Sequence, residues 1–331
     1  MRKCSNRGAF SWQFGFRVKS ALDGACVWDR AKRPRMAPPH KATRFDAGGG
    51  AFRSRSGWKR GVIASVPFLD NGYLSVTLPS SAAVLPGISA HPSGALWLPD
   101  SRTVLVADLH LGYSWAQRRR GELGPLADFQ ARDKLLKLCA ELEPQRLVFV
   151  GDLVHAPRPC ELERAYIEET LTLLAQRAAI VAVRGNHDRA FAREFGHLAL
   201  STAEAWSGSD ITAIHGDRLD RSPIPQAGTL VVGHLHPCLS IREASGASQK
   251  LPVFLVNAHC IVMPAFSPFA RGYDVAAGLP PDLQFCFQGA PVHAYLATPT
   301  RVIHAGPLAS AIDKLAEADA GTASRFRSFR S

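Results

Sequence analysis

Seven side chains of three types carry the chemistry this sequence can perform. They are Asp108, His110, Asp152, Asn186, His215, His234 and His236. Each stands just beyond a short apolar run. TVLVA leads into Asp108-Leu-His110, RLVFV into Gly151-Asp152, and AIVAV into Arg184-Gly-Asn186-His187-Asp188. ITAI leads into His215-Gly-Asp217, and TLVV into Gly233-His234-Leu-His236. Two carboxylates, one amide oxygen and four imidazoles make a mixed oxygen and nitrogen donor set without a thiolate. Such a set suits Mn2+, Fe2+ or Zn2+ better than Ca2+ or a thiolate zinc site. The number of donors fits two ions sharing one carboxylate. On an extended chain residues i and i+2 point to the same side, so Asp108 and His110 are expected to reach one ion, with Leu109 turned into the core. His234 and His236 can do the same, or be divided between two ions.

The elements that must hold these residues follow from periodicity. YLSVTL (73–78), GALWLP (94–99) and TVLVA (103–107) predict strands. DFQARDKLLKLCAEL (128–142) predicts a helix capped by Asp128, with Phe129, Leu135, Leu136, Cys139 and Leu142 facing inward. RLVFV (146–150) is the next strand. The helix predicted over 161–176 turns Leu162, Ala165, Tyr166 and Leu173 to the core, and AIVAV (179–183) follows as a strand. This alternation implies a largely parallel sheet covered on both faces, with ligand groups at the carboxyl ends of its strands. ITAI (211–214), TLVV (229–232), VFLV (253–256) and HAYLA (293–297) predict a second sheet packed on the first, and SAIDKLAEA (310–318) a last helix.

Charge and composition divide the chain. The net charge of +11 resides in residues 1–60, which hold 15 Lys and Arg against 3 Asp and Glu. The other 271 residues carry 24 basic and 25 acidic side chains, so the overall charge is no sign of a nucleic-acid-binding core. Three domains are expected: a disordered basic extension over 1–71, a folded domain over 72–310, and a C-terminal helix with a basic tail over 311–331. The extension reads as a solvated tail, a nucleic-acid-binding arm or, the favoured account, a start codon set too far upstream. The seven cysteines form no CxxC pair, which argues for a reducing compartment. No run approaches the ~18–20 apolar residues of a membrane span, and no signal peptide is read. A cytoplasmic protein is expected, without a membrane partner.

The motifs DLH, GD, GNHD, HG and GHLH, in this order, resemble the five motifs of the calcineurin-like metallophosphoesterase superfamily. The resemblance implies an α/β fold, a four-layer αββα sandwich of two mixed β-sheets flanked by helices. It also implies two divalent metal ions, with Mn2+ favoured over Fe2+ or Zn2+. Asp108, His110 and His236 would hold one ion, Asn186, His215 and His234 the other, and Asp152 would bridge. His187 would be a catalytic histidine outside the ligand set, with Asp188 orienting its ring. The implied chemistry is in-line attack on a phosphodiester by a metal-bridging hydroxide. A narrower resemblance, in DLHLG followed by R-R-x-G and in LPVFLVNAHCIVMPAFSPFARG, is to the bacterial ligase-associated DNA-damage-response endonucleases (the PdeM group). It implies DNA as substrate, an endonuclease or end-processing role in repair, and a DNA ligase and a helicase as partners.

Two other readings stay open. DLHL also opens the motif set of the UDP-diacylglucosamine pyrophosphate hydrolases, which ranks lower because no long apolar insertion separates residues 187 and 215. A non-catalytic repair scaffold would be expected to lose ligands, and the whole set is present. GDLVHAP lacks the GD-x-x-D-R of Ser/Thr phosphatases. Arg118, Arg119 and Arg120 form either a solvated face or, for Arg118 and Arg119, a contact to substrate phosphate. Trp115 either packs or stacks on a base. His155, His259, His293 and His304 match no motif and read as ordinary residues.

Overall fold

The run TVLVA becomes strand β4 (Thr103–Ala107), buried at every position. Its neighbours explain why no polar face is needed. Val104 and Val106 pack toward helices, and Leu105 and Ala107 pack toward a second sheet, so the period-2 alternation of a strand serves two apolar layers. The computed structural model describes residues 80–122, 127–198, 200–221, 227–242, 248–270 and 272–315. The chain divides into Met1–Gly72 and Tyr73–Ser331, and the described residues belong to the second unit. The expected extension over 1–71, the strand predicted over 73–78 and the end of the predicted tail helix lie outside them.

The first sheet contains β1 (Ala82–Leu85), β2 (Ile88–Ala90), β3 (Leu96–Leu98), β4, β5 (Arg146–Val150), β6 (Ala179–Val183) and β7 (Ser201–Ala203), side by side in chain order. Pairing is antiparallel from β1 to β4 and parallel from β4 to β7. Between them run helices α1 (Tyr113–Arg119), α2 (Ala127–Leu142), α3 (Glu161–Ala175) and the short α4 (Phe191–Phe195). The second sheet is built on β8 (Trp206–Gly208), β9 (Ile211–Ile214), β10 (Thr229–Val232), β11 (Pro237–Arg242), β12 (Ser248–Val256), β13 (Cys260–Val262) and β14 (Tyr273–Asp274). After α5 (Pro281–Cys286), β15 (His293–Ala297) pairs with β12, and β16 (Val302–Pro307) pairs with β15. Residues 308–315 are helical.

Three apolar layers hold the four-layer α/β fold together. Leu135, Leu138, Ile167 and Leu171 of α2 and α3 cover one face of the first sheet. Val148, Val150 and Val183 meet Val231, Phe254 and Ile261 between the sheets. Leu283 and Leu308 pack with Val253 and Leu255 on the far side. Phe254 is fully buried between the two sheets, and truncating such a side chain to alanine typically costs about 3–5 kcal/mol.

Four residues expected to cap a helix or face the core need correcting. Phe129 is 39 % exposed and Leu162 is 75 % exposed, and Ala165 also faces solvent. Phe129 packs its ring on Tyr166 at 5.0 Å, with the Arg132 guanidinium 5.5 Å from its centre, so it covers a helix surface instead of entering the core. Asp128 does not precede its helix but lies within the first turn. Its carboxylate accepts from the Gly112 and Ser114 backbone N–H groups at 2.7 and 3.0 Å, and so fixes the start of α1.

Candidate metal centre

The parallel strands β4, β5 and β6 and the parallel pair β9–β10 all end at one rim, where the two sheets meet. The structure gathers their exits into clusters of potential ligand atoms. Asp108, His110 and His236 form one, and Asp152, His215 and His234 form another. Asn186 joins the second through its Oδ1, 3.0 Å from His215 Nε2. Asp152 stands between them. Its Oδ2 is 3.7 Å from His110 Nε2, and its Oδ1 is 3.5 Å from His215 Nε2. All seven sequence-derived donors therefore meet within one rim.

The backbone that presents them is not extended. Asp108, His110, Asp152, His234 and His236 all have φ between 43 and 64°. Non-glycine residues adopt this left-handed region uncommonly, and Asn, Asp and His tolerate it best. The two D-x-H and H-x-H pairs thus reach the rim by tight left-handed steps instead of the expected straight strand. Leu109 is buried, as alternation had required. Close approach also demands glycine at two places. A Cβ at Gly151 would fall 1.9 Å from His215 Nδ1, and one at Gly185 would fall 2.2 Å from Asp152 Oδ1.

The carboxylates are tied down by amides. Asp108 Oδ2 accepts from the His234 N–H at 2.9 Å, and Asp152 Oδ1 from the His187 N–H at 2.9 Å. Asp108 Oδ1 is buried and makes no hydrogen bond, although His236 Nε2 and His215 Nδ1 lie 3.3 and 3.6 Å away. Burial pushes the Asp152 carboxyl up to about 8, and the neighbouring Asp108 and Asp188 push the same way. Burial also raises Asp108, but His236, His215 and His110 outweigh it and hold that carboxyl below its ordinary value. The imidazoles move down: His110 to about 3, and His215 and His234 also below normal, with burial the leading cause in each. Neutral imidazoles are the state a divalent cation requires, whereas Asp152 must give up its proton when an ion binds. The residues fit such ions: an unbonded buried oxygen, neutral nitrogens, and a shared carboxylate between two clusters.

His187 lies at the mouth of the rim, its Nε2 4.0 Å from Asp152 Oδ2. Its Nδ1 donates to the His155 carbonyl at 2.7 Å, which leaves Nε2 facing the cleft. Asp188 does not orient this ring. Its buried carboxylate accepts from the Leu153, Val154 and Gly185 N–H groups at 3.2, 3.0 and 2.9 Å, so it braces the two loops that carry Asp152 and Asn186. The side chain of His155 packs on the same group: Nδ1 lies 3.3 Å from His110 Nδ1, and its ring stacks on His187 at 5.1 Å. One residue thus holds His110 by its ring and His187 by its carbonyl. A further cluster of potential ligands joins His110, His155 and His187. Sequence reading passed over His155. The signal for it is its position three residues after Asp152, in a loop whose His155 N–H donates to the Leu111 carbonyl at 2.7 Å.

The arginines separate. Arg118 lies 5.9 Å from the Trp115 ring centre, and Trp115 packs on Tyr166. Arg119 Nη1 donates to Glu163 Oε2 at 2.9 Å, an ion pair with a fully buried carboxylate. Arg120 acts more strongly than Arg119 on His155, whose imidazole falls to about 4 through burial, His187 and then these two charges.

Residues 101–246 match the calcineurin-like phosphoesterase family, a span that includes every candidate ligand. Among solved structures the chain is similar to a Pseudomonas putida nuclease MPE, with 24 % identity over 67 % of this chain and 94 % of that one, and a TM-score of 0.49. No curated protein matches the chain. Among the described residues no helix is long and apolar enough to cross a membrane.

Proposed function

We propose that this chain is a dinuclear-metal-dependent phosphodiesterase and, more finely, a DNA endonuclease or end-processing enzyme of repair. The observation that carries the reading is the position of Asp152, within 3.7 Å of one imidazole from each of two ligand clusters. A single carboxylate so placed suits two ions held ~3.5–4 Å apart, as in two-metal phosphoryl chemistry. When bound, such ions supply charge neutralisation at the phosphate and water that ionises near neutral pH. The side chains do the rest. Asp108, His110 and His236 hold one position, and Asn186, His215 and His234 the other. His187, with its tautomer set by the His155 carbonyl, presents Nε2 toward the leaving oxygen and, as imidazolium, donates the proton there. His155 keeps the His110 ring turned so that Nε2 faces the centre.

The choice of DNA rests on the narrower motif resemblance, as do a DNA ligase and a helicase as partners, a cytoplasmic location and Mn2+ as the metal. The test is purified protein with Mn2+ on four substrates in parallel: bis-p-nitrophenyl phosphate, single-stranded DNA, duplex DNA and UDP-diacylglucosamine. The expected result is cleavage of the small diester and of DNA. Hydrolysis of the lipid-linked nucleotide alone would replace this reading with a phosphoanhydride hydrolase.

A further inference from the structure

Beyond residue 60 the sequence holds only four lysines: Lys134, Lys137, Lys250 and Lys314. Three of them line one cavity of about 960 Å3. Lys134 and Lys137 come from α2 beside the first sheet, and Lys250 comes from β12 of the second. The cavity wall includes His236, so the groove begins at the candidate metal centre. We propose that this groove binds the phosphate backbone of single-stranded nucleic acid on one side of the reacting phosphate. The inference rests on the phosphodiesterase reading for which phosphate reacts, but the groove is tested separately below.

Charge and lining both favour that occupant. Glu141 is the one carboxylate in the lining, and His91 Nε2 lies 3.2 Å from its Oε1. Three lysines therefore share the wall with a single, already engaged anion, and Lys250 Nζ donates to the Gly272 carbonyl at 3.3 Å. Lys134 Nζ donates to the Phe266 carbonyl at 2.9 Å and sits 4.1 Å from the Phe266 ring centre, which aims the ammonium with only one of its three N–H groups used. Lys137 and Lys250 are exposed. Lysines act as point charges that follow phosphates without reading bases. Between them the wall is apolar, with Pro252, Pro264, Pro268 and Phe269. An aromatic face in a basic track is how proteins hold unpaired bases, because every base has a stackable face.

The experiment uses the full chain in EDTA, where nothing turns over, with a fluorescein-labelled oligothymidylate of about 20 nucleotides. The comparison is wild type against the double variant Lys137→Ala, Lys250→Ala. We expect severalfold weaker binding in anisotropy, and a slope of log affinity against log salt lower by about 1.4, at ~0.7 for each phosphate contact to a single strand. Acetylation of lysines, read by mass spectrometry, localises the effect despite the basic residues 1–60: the oligonucleotide protects Lys137 and Lys250 and leaves Lys314 reactive. Turnover of bis-p-nitrophenyl phosphate with Mn2+ is unchanged in the variant. Unaltered affinity and slope, equal acetylation of all four lysines, or protection by UDP-diacylglucosamine in place of the oligonucleotide overturns the proposal. A wild type that protects these lysines yet leaves the small diester uncleaved overturns the phosphodiesterase reading and upholds the groove.

Discussion

The two sheets bring different chemistry to the rim they share. The first contributes both carboxylates and the amide, Asp108, Asp152 and Asn186, with His110 as its one imidazole among the candidate ligands. The second contributes imidazoles alone, His215, His234 and His236. Burial pulls His215 and His234 down, yet His236 and His215, with His110, still hold the Asp108 carboxyl below its ordinary value. Asp152 differs: burial above all, with Asp108 and Asp188 beside it, holds its carboxyl near 8. Bound cations would resolve this, and they would also join the two halves of the fold.

The largest break in that comparison is Asp152→Ala. With the shared carboxylate gone, hydrolysis of bis-p-nitrophenyl phosphate is expected to fall to background, and elemental analysis to find less metal bound. Retention of both ions would refute the bridging role. His187→Ala should remove ~10²–10⁴-fold in turnover, the usual worth of a positioned general acid, with metal content intact. His155→Ala separates chemistry from positioning: an outer partner typically changes metal affinity by ~10–100-fold, so metal titration should respond in this variant and not in His187→Ala.

Removing metal tests whether the ions join the sheets. An ion present at 100 times its Kd stabilises by about 2.7 kcal/mol. For a folded part of this size that corresponds to roughly 5–10 °C in Tm, lost on adding EDTA and regained with Mn2+. The smallest effect is with pH. In the metal-free protein His110 and His155 stay neutral down to about 3 and about 4, whereas the unfolded chain takes up protons near 6.5. The unfolded state binds more protons in that window, so stability falls as pH drops below 6.5. Asp152 acts oppositely, since the fold retains its proton up to about 8, but one carboxyl faces several imidazoles. A urea midpoint that rises between pH 7 and 5 would contradict this balance.

Much of the architecture was legible because burial on two faces leaves a plain trace. TVLVA, RLVFV and AIVAV became β4, β5 and β6 with the expected bounds. Strand β12 was only half visible: VFLV is buried, but its first residues, Ser-Gln-Lys, are exposed and carry no alternation. Helix faces were less certain because Phe129 and Leu162 are apolar yet point outward, and composition does not give direction. The seven donors were legible as strand exits. Their left-handed backbone was not, since Asp and His are ordinary at many φ values. Half of the role of His155, its hold on His187, runs through a carbonyl, which no side-chain pattern encodes. The lysine groove joins residues 134 and 250, a juxtaposition that only the packing of two sheets creates.

The left-handed backbone at Asp108, His110, Asp152, His234 and His236 limits how this centre can decay. Replacing any of them with valine or isoleucine would burden the loop sterically before any question of chemistry arose. Asparagine and glycine meet no such barrier. A lineage abandoning this activity would therefore pass first through Asn or Gly at these five positions, and its sequences would record the loss in that form while the sandwich around them stayed intact.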